Sequence, residues 1–123
     1  MPAASLDQKS QRRFSKEVRR SMILDSAAEM VERDGMWQVS MEKLAVHAGI
    51  SKALIYKYFS NVEQVFSELL ERELKQLRDQ QVVAAELAST FEDLVRGVTK
   101  AYLRYIRKKG LLIEKLQADP SIS

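Results

Sequence analysis

The chain has 123 residues, enough for one domain or for one small domain and the opening of a second, and its 46% hydrophobic and 30% charged content is ordinary for a soluble globular protein. Cysteine is absent, which excludes disulfide frameworks, thiolate metal sites and thiol catalysis and suits a reducing cytoplasm, and the single histidine leaves a His-based metal site or catalytic triad almost nothing to build with. Up to Ser60 ten Lys and Arg face seven Asp and Glu, whereas beyond it the count is ten against ten, so the net charge of +3 belongs to the N-terminal half.

Residues 1–14 mix Pro, Ala, Ser and charges without a period and read as a basic disordered arm. Between Lys9 and Arg20 six basic residues, Lys9, Arg12, Arg13, Lys16, Arg19 and Arg20, stand against one acid, Glu17. Such a leader either neutralises phosphate or is a solvated tail, and composition alone leaves both open. No apolar run approaches a membrane span, and Met1 to Gln11 is too polar for a signal peptide. Ser15 is the expected cap of a first helix reaching Asp34. Its stripe is Val18, Met22, Ile23, Ala27, Met30 and Val31, and Gly35 ends it.

Ser40 caps a short second helix, Met41 to Ala48, which buries Met41, Leu44, Ala45 and Ala48. Gly49 breaks it after barely two turns, Ile50 plugs the angle, and Ser51 caps a third helix, Lys52 to Tyr58. Two short helices joined in this way outline a helix-turn-helix. Asn61 opens a fourth helix, with Gln64 placed to complete a capping box and a stripe of Val62, Val65, Phe66, Leu69, Leu70, Leu74 and Leu77. The pattern loses phase around Glu86 to Thr90. Thr90 and Asp93 then start a fifth helix with the stripe Phe91, Leu94, Val95, Val98, Tyr102, Tyr105 and Ile106. Gly110 ends it, and Leu111 to Gln117 reads as a short sixth. Nothing alternates as a strand does, so the fold expected is all-α.

Several residues invite chemistry and have a plainer use. His47 is expected to face solvent, Trp37 to wedge between helices, and Met22, Met30, Met36 and Met41 to fill the core. The acid pairs Glu71/Glu73 and Glu92/Asp93 are expected on mobile polar faces, where glycosidase chemistry has no footing. No metal site, cofactor or catalytic constellation emerges, so an enzyme is not expected.

Ile23-Leu-Asp-Ser-Ala-Ala-Glu-Met-Val-Glu-Arg-Asp-Gly35 resembles the first helix of the Tet repressor (TetR) family of bacterial regulators. Met41 to Phe59 resembles that family's second and third helices, through Leu44-Ala45, Ala48-Gly49-Ile50-Ser51-Lys52, Tyr56 and Phe59, and Ser60 to Phe66 the start of its fourth. The resemblance implies a three-helix helix-turn-helix domain over residues 15–75, with helix four as connector, after the arm of residues 1–14. Residues 76–123 would open a C-terminal helical domain for ligand binding and dimerisation, here incomplete. Family chains are usually much longer; a fragment is expected, the alternative being a naturally short variant that pairs in another way.

Helix 52–58 would then lie in the major groove. Ile50, Ile55 and Phe59 would face the core, leaving Ser51, Lys52, Ala53, Leu54, Tyr56, Lys57 and Tyr58 toward DNA or its margins. Ser40 would cap the helix whose N-terminus meets a phosphate, and Arg12, Arg13, Lys16, Arg19 and Arg20 would flank the groove. Ala53 and Leu54, where the family usually has a small residue and often Thr, make the reading surface more apolar and suited to thymine methyls. Val62 replaces a lysine common after the cap of helix four, and Met36 precedes Trp37 where an aromatic residue often follows the glycine. Tyr102 and Tyr105 would either line an effector cavity or pack between helices.

The function implied is that of a DNA-binding transcriptional regulator in the cytoplasm, associated with the nucleoid. It would most often be a repressor acting as a homodimer on a near-palindromic double-stranded operator and released by a small-molecule effector, with no membrane partner. The alternative is a helical protein–protein interaction module that does not bind DNA.

Overall fold

The computed structural model describes the backbone of residues 2–118 and the side chains of residues 15–118. Among these it holds five α-helices and one 3₁₀ turn: α1 Pro2–Asp34, the turn Met36–Gln38, α2 Met41–Ala48, α3 Lys52–Tyr58, α4 Val62–Glu86 and α5 Phe91–Gln117.

The caps expected from sequence close the starts of α2, α3, α4 and α5, whereas Ser15, the expected cap of the first helix, lies inside α1. Ser40 Oγ accepts from Lys43 N at 3.1 Å, Ser51 Oγ from Leu54 N at 3.1 Å, Asn61 Oδ1 from Gln64 N at 2.8 Å and Thr90 Oγ1 from Asp93 N at 3.0 Å. Gln64 Oε1 in turn takes the Ser60 N–H at 2.6 Å, one residue before the position a capping box would use. At the α2–α3 corner Gly49 adopts φ +73, which a side chain would resist. This lets Gly49 N reach Val46 O at 3.1 Å and Ile50 N reach Ala45 O at 3.0 Å, so the carbonyls at the end of α2 are satisfied and the chain turns sharply into α3.

Two boundaries differ from expectation. α1 begins at Pro2, so the backbone of residues 2–14 is helical and not an irregular arm. Pro2 suits a first helical position, and Ala3, Ala4, Leu6, Gln8, Lys9, Gln11, Arg12 and Arg13 are strong helix formers that outweigh the missing apolar period. α5 runs through Gly110 without a break, so no separate sixth helix exists. The reason lies beyond it: Leu112, Ile113 and Leu116 are buried, and their burial outweighs the roughly 1 kcal/mol that a helical glycine costs.

One buried cluster unites these elements. Ile23, Leu24, Ala27, Ala28, Met30 and Val31 of α1 meet Met41, Leu44 and Ala45 of α2, Ile55 and Phe59 around α3, and Val65, Phe66 and Leu69 of α4. Leu112 and Leu116, near the end of α5, join the same cluster. Lys115 strengthens that docking, its ammonium lying 3.3 Å from Val31 O and 3.2 Å from Glu32 O at the negative end of α1.

Not every stripe residue is inside. Val18 and Met22 of α1 are exposed, as are Phe91, Val95 and Tyr102 of α5. The buried face of α5 is Ala101, Tyr105, Leu112, Ile113 and Leu116; of the stripe read in sequence Tyr105 is buried and Leu94, Val98 and Ile106 are half-buried. Trp37 is 92% exposed on its 3₁₀ turn, so it is not a wedge; Met36, partly buried against the core, does that packing.

Candidate nucleic-acid interface

α3 is only two turns long and depends on its neighbours for stability. Ser51 holds its start, while Ile55 within it and Phe59 at its end are sealed in the core. Ile50 and Tyr58 pack half-buried at its edges. With the inner side anchored, the 3.6-residue period directs Ser51, Lys52, Ala53, Tyr56 and Lys57 outward, where all five are exposed, and Leu54 is half-buried beside them. The result is a narrow convex ridge carrying two ammonium groups, a phenol, a hydroxyl and one methyl.

Lys52 is engaged across the corner. Its Nζ lies 2.6 Å from Glu42 Oε1 on α2. That hydrogen bond, with the attraction of the charges, holds the Glu42 carboxyl below the usual carboxylate range and lifts the Lys52 ammonium above the usual lysine range, so the pair stays charged. Ser40, half-buried, spends its hydroxyl on the α2 cap.

The basic residues of α1 divide. Lys16 and Arg19 are exposed. Arg20 turns inward: it makes a two-pronged ion pair with Glu68 of α4, with Nε 3.0 Å from Oε2, and its Nη1 donates to Tyr58 O at 3.1 Å. Its guanidinium also lies 4.5 Å from the centre of the Phe59 ring. Arg20 therefore braces the far end of α3 against α4, a use no local sequence signal announces. Arg12 and Arg13 lie outside the described side chains.

Tyr102 and Tyr105 do not share a cavity. Tyr102 is exposed, whereas Tyr105 is buried with its hydroxyl donating to Glu73. Glu73, expected on a solvated face, is 1% exposed, and Arg72 joins it at 3.3 Å while also reaching Asp25 of α1 at 2.7 Å. The open groove between α4 and α5, about 630 Å³, lies elsewhere, along Val83, Ala84, Leu87, Gly97, Lys100 and Arg104. His47 sits at the surface 3.5 Å from Glu29. Among the described residues no group of three or more His, Asp or Glu side chains is placed to hold a metal ion.

Residues 23–69 match the family of bacterial regulatory proteins of the tetR type. The chain is 32% identical over 87 residues to the HTH-type transcriptional regulator BetI of Rhizobium meliloti (strain 1021), covering 71% of this chain and 43% of that protein. It is 36% identical over 62 residues to the nucleoid occlusion factor SlmA of Cronobacter sakazakii, covering 50% of this chain and 31% of that one. Among solved structures, a TetR family transcription regulator from Marinobacter aquaeolei VT8 superposes with a TM-score of 0.78 over 92% of this chain and 60% of its own, at 19% identity. The fatty acid degradation regulator FadR of Bacillus halodurans does so with 0.69 over 76% and 49%, at 22% identity. At such identities the likeness is one of fold, and the chain spans about half the length of the relatives it matches.

Proposed function

The chain carries the N-terminal domain of the tetR family of bacterial regulatory proteins, and on that premise we propose that it is a sequence-specific, DNA-binding transcriptional regulator. One observation carries the reading: the side chains of α3 that can contact a duplex are exposed on one face, while Ile55 and Phe59 pin the opposite face to the core.

In this reading residues 15–75 form the DNA-binding unit and residues 76–118 begin a regulatory one. α3 enters the major groove, Lys52 and Lys57 meet phosphates, Tyr56 reaches backbone or base edges, and Ala53 with Leu54 reads thymine methyls. Lys16 and Arg19 approach the flanking backbone. Tyr58 and Arg20 support the ridge from behind.

A homodimer would present two such ridges one helical turn apart to a near-palindromic operator, acting as a repressor on the nucleoid. A small-molecule effector would release the DNA only by favouring a state with the wrong spacing. Among the described residues no helix is long and apolar enough to cross a membrane.

An electrophoretic shift with pooled random duplexes, repeated across salt, tests the reading. A regulator enriches a palindromic sequence and loses affinity steeply as salt rises. Enrichment of no sequence, with no salt-sensitive binding, would overturn it and favour a protein–protein module.

A further inference from the structure

We propose that Glu42 acts as an internal stand-in for a DNA phosphate, occupying Lys52 in the free protein and lowering the affinity of the helix-turn-helix for the DNA backbone. The inference rests on the reading of α3 as the DNA-facing helix.

Three features meet at this carboxylate. Glu42 lies in the first turn of α2, two residues after the Ser40 cap, where free N–H groups and the helix dipole favour an anion. Its Oε1 is 2.6 Å from Lys52 Nζ. Lys52 is itself the first residue of α3, whose opening turn contains no acid of its own, so its charge opposes the α3 dipole unless an anion stands beside it. A phosphate in the same place would satisfy the same groups. The side chains are 60% and 70% exposed, so a duplex arriving at α3 meets this pair without any rearrangement of the core.

Binding must then exchange one anion for another. Lys52 leaves Glu42 for a phosphate oxygen, and the released carboxylate stays close to the backbone it faces. The exchange removes most of the gain that a free lysine would bring, because no net ion pair is created and the counterion release is partly offset. Contacts from Tyr56, Lys57, Ala53 and Leu54 are untouched. Glu42 therefore lowers sequence-independent holding and leaves the base-reading side chains as they are.

The test uses the 123-residue chain, a mixed-sequence duplex and fluorescence anisotropy across a salt series. Glu42→Gln is isosteric and exposed, and circular dichroism verifies that its helicity equals that of the wild type. The expected result is roughly three- to five-fold tighter binding at low salt, with a steeper slope of log affinity against log salt, by up to about 0.9. Lys52→Met in the Glu42→Gln background should cancel the gain, and Glu114→Gln, a neutralised exposed acid on α5, should not reproduce it. Unchanged affinity and slope in Glu42→Gln would overturn the proposal, as would a gain that survives Lys52→Met or is matched by Glu114→Gln. Wild-type protein that binds no duplex would instead remove the reading of α3, and this inference with it.

Discussion

The Tyr105 hydroxyl of α5 donates to Glu73 of α4, lying 2.6 Å from Oε2 and 2.7 Å from the same residue's carbonyl oxygen. Glu73 is 1% exposed, and its other carboxylate oxygen meets Arg72 at 3.3 Å. Removing the hydroxyl leaves Oε2 buried without its donor. Tyr105→Phe should lower the free energy of unfolding by about 2–3 kcal/mol, read as a lower urea midpoint at unchanged slope. An unchanged midpoint would mean that another donor replaces the hydroxyl.

The same contact predicts a pH dependence. Burial first, then the hydrogen bond and charge of Glu73, raise Tyr105 above its ordinary pKa of 10.0. The folded state keeps a proton that the unfolded chain releases, so this contribution is whole below about pH 10 and is lost as pH rises further. Wild type should therefore lose stability faster than Tyr105→Phe as pH rises from about 10 to 12. Parallel curves would refute the assignment.

Arg20 ties α1 to Glu68, to the Tyr58 carbonyl and to the Phe59 ring. The pair is partly exposed, so its coupling in a double-mutant cycle of Arg20→Met and Glu68→Gln should be about 1 kcal/mol. Arg20→Met should weaken DNA binding by letting α3 shift, while leaving the salt slope as it is. A slope shallower by about 0.9 would mean that Arg20 touches phosphate after all.

Gly49→Ala isolates the cost of the corner. A Cβ there meets nothing within 4 Å, so the penalty comes only from φ +73, about 1–2 kcal/mol. Thermal denaturation should show the loss. A variant as stable as wild type would indicate that the α2–α3 corner forms equally well with another backbone geometry.

Tyr56 is exposed on the outer side of α3. Tyr56→Ala should cut affinity for the selected duplex about ten-fold, one good contact's worth, with helicity by circular dichroism unchanged. Loss of helicity in step with binding would assign Tyr56 to the fold instead.

Some of this was open to reading along the chain because its causes are local. Ser40, Ser51, Asn61 and Thr90 cap helices through bonds to residues three positions on, and Gly35 and Gly49 take positive φ where helices end. Other features were hidden because their causes lie far away in sequence. The Arg20–Glu68 pair spans 48 positions, the Tyr105–Glu73 bond 32 and the Lys115–Val31 bond 84. Trp37 misled for a related reason: size and hydrophobicity favour burial, but its 3₁₀ turn aims it outward, and the smaller Met36 takes the inner position.

The sequence by itself determined where most helices start and where α1 and α2 stop, since capping acts over a few residues, and its resemblance to the family implied that α3 keeps Ile55 and Phe59 inside. Only the tertiary structure decided that α5 continues through Gly110, that Arg20 is a brace and that Lys52 faces Glu42. Each depends on a partner delivered by the folding of a distant or neighbouring element, and at Gly110 burial of the residues beyond it outweighs a local preference of about 1 kcal/mol.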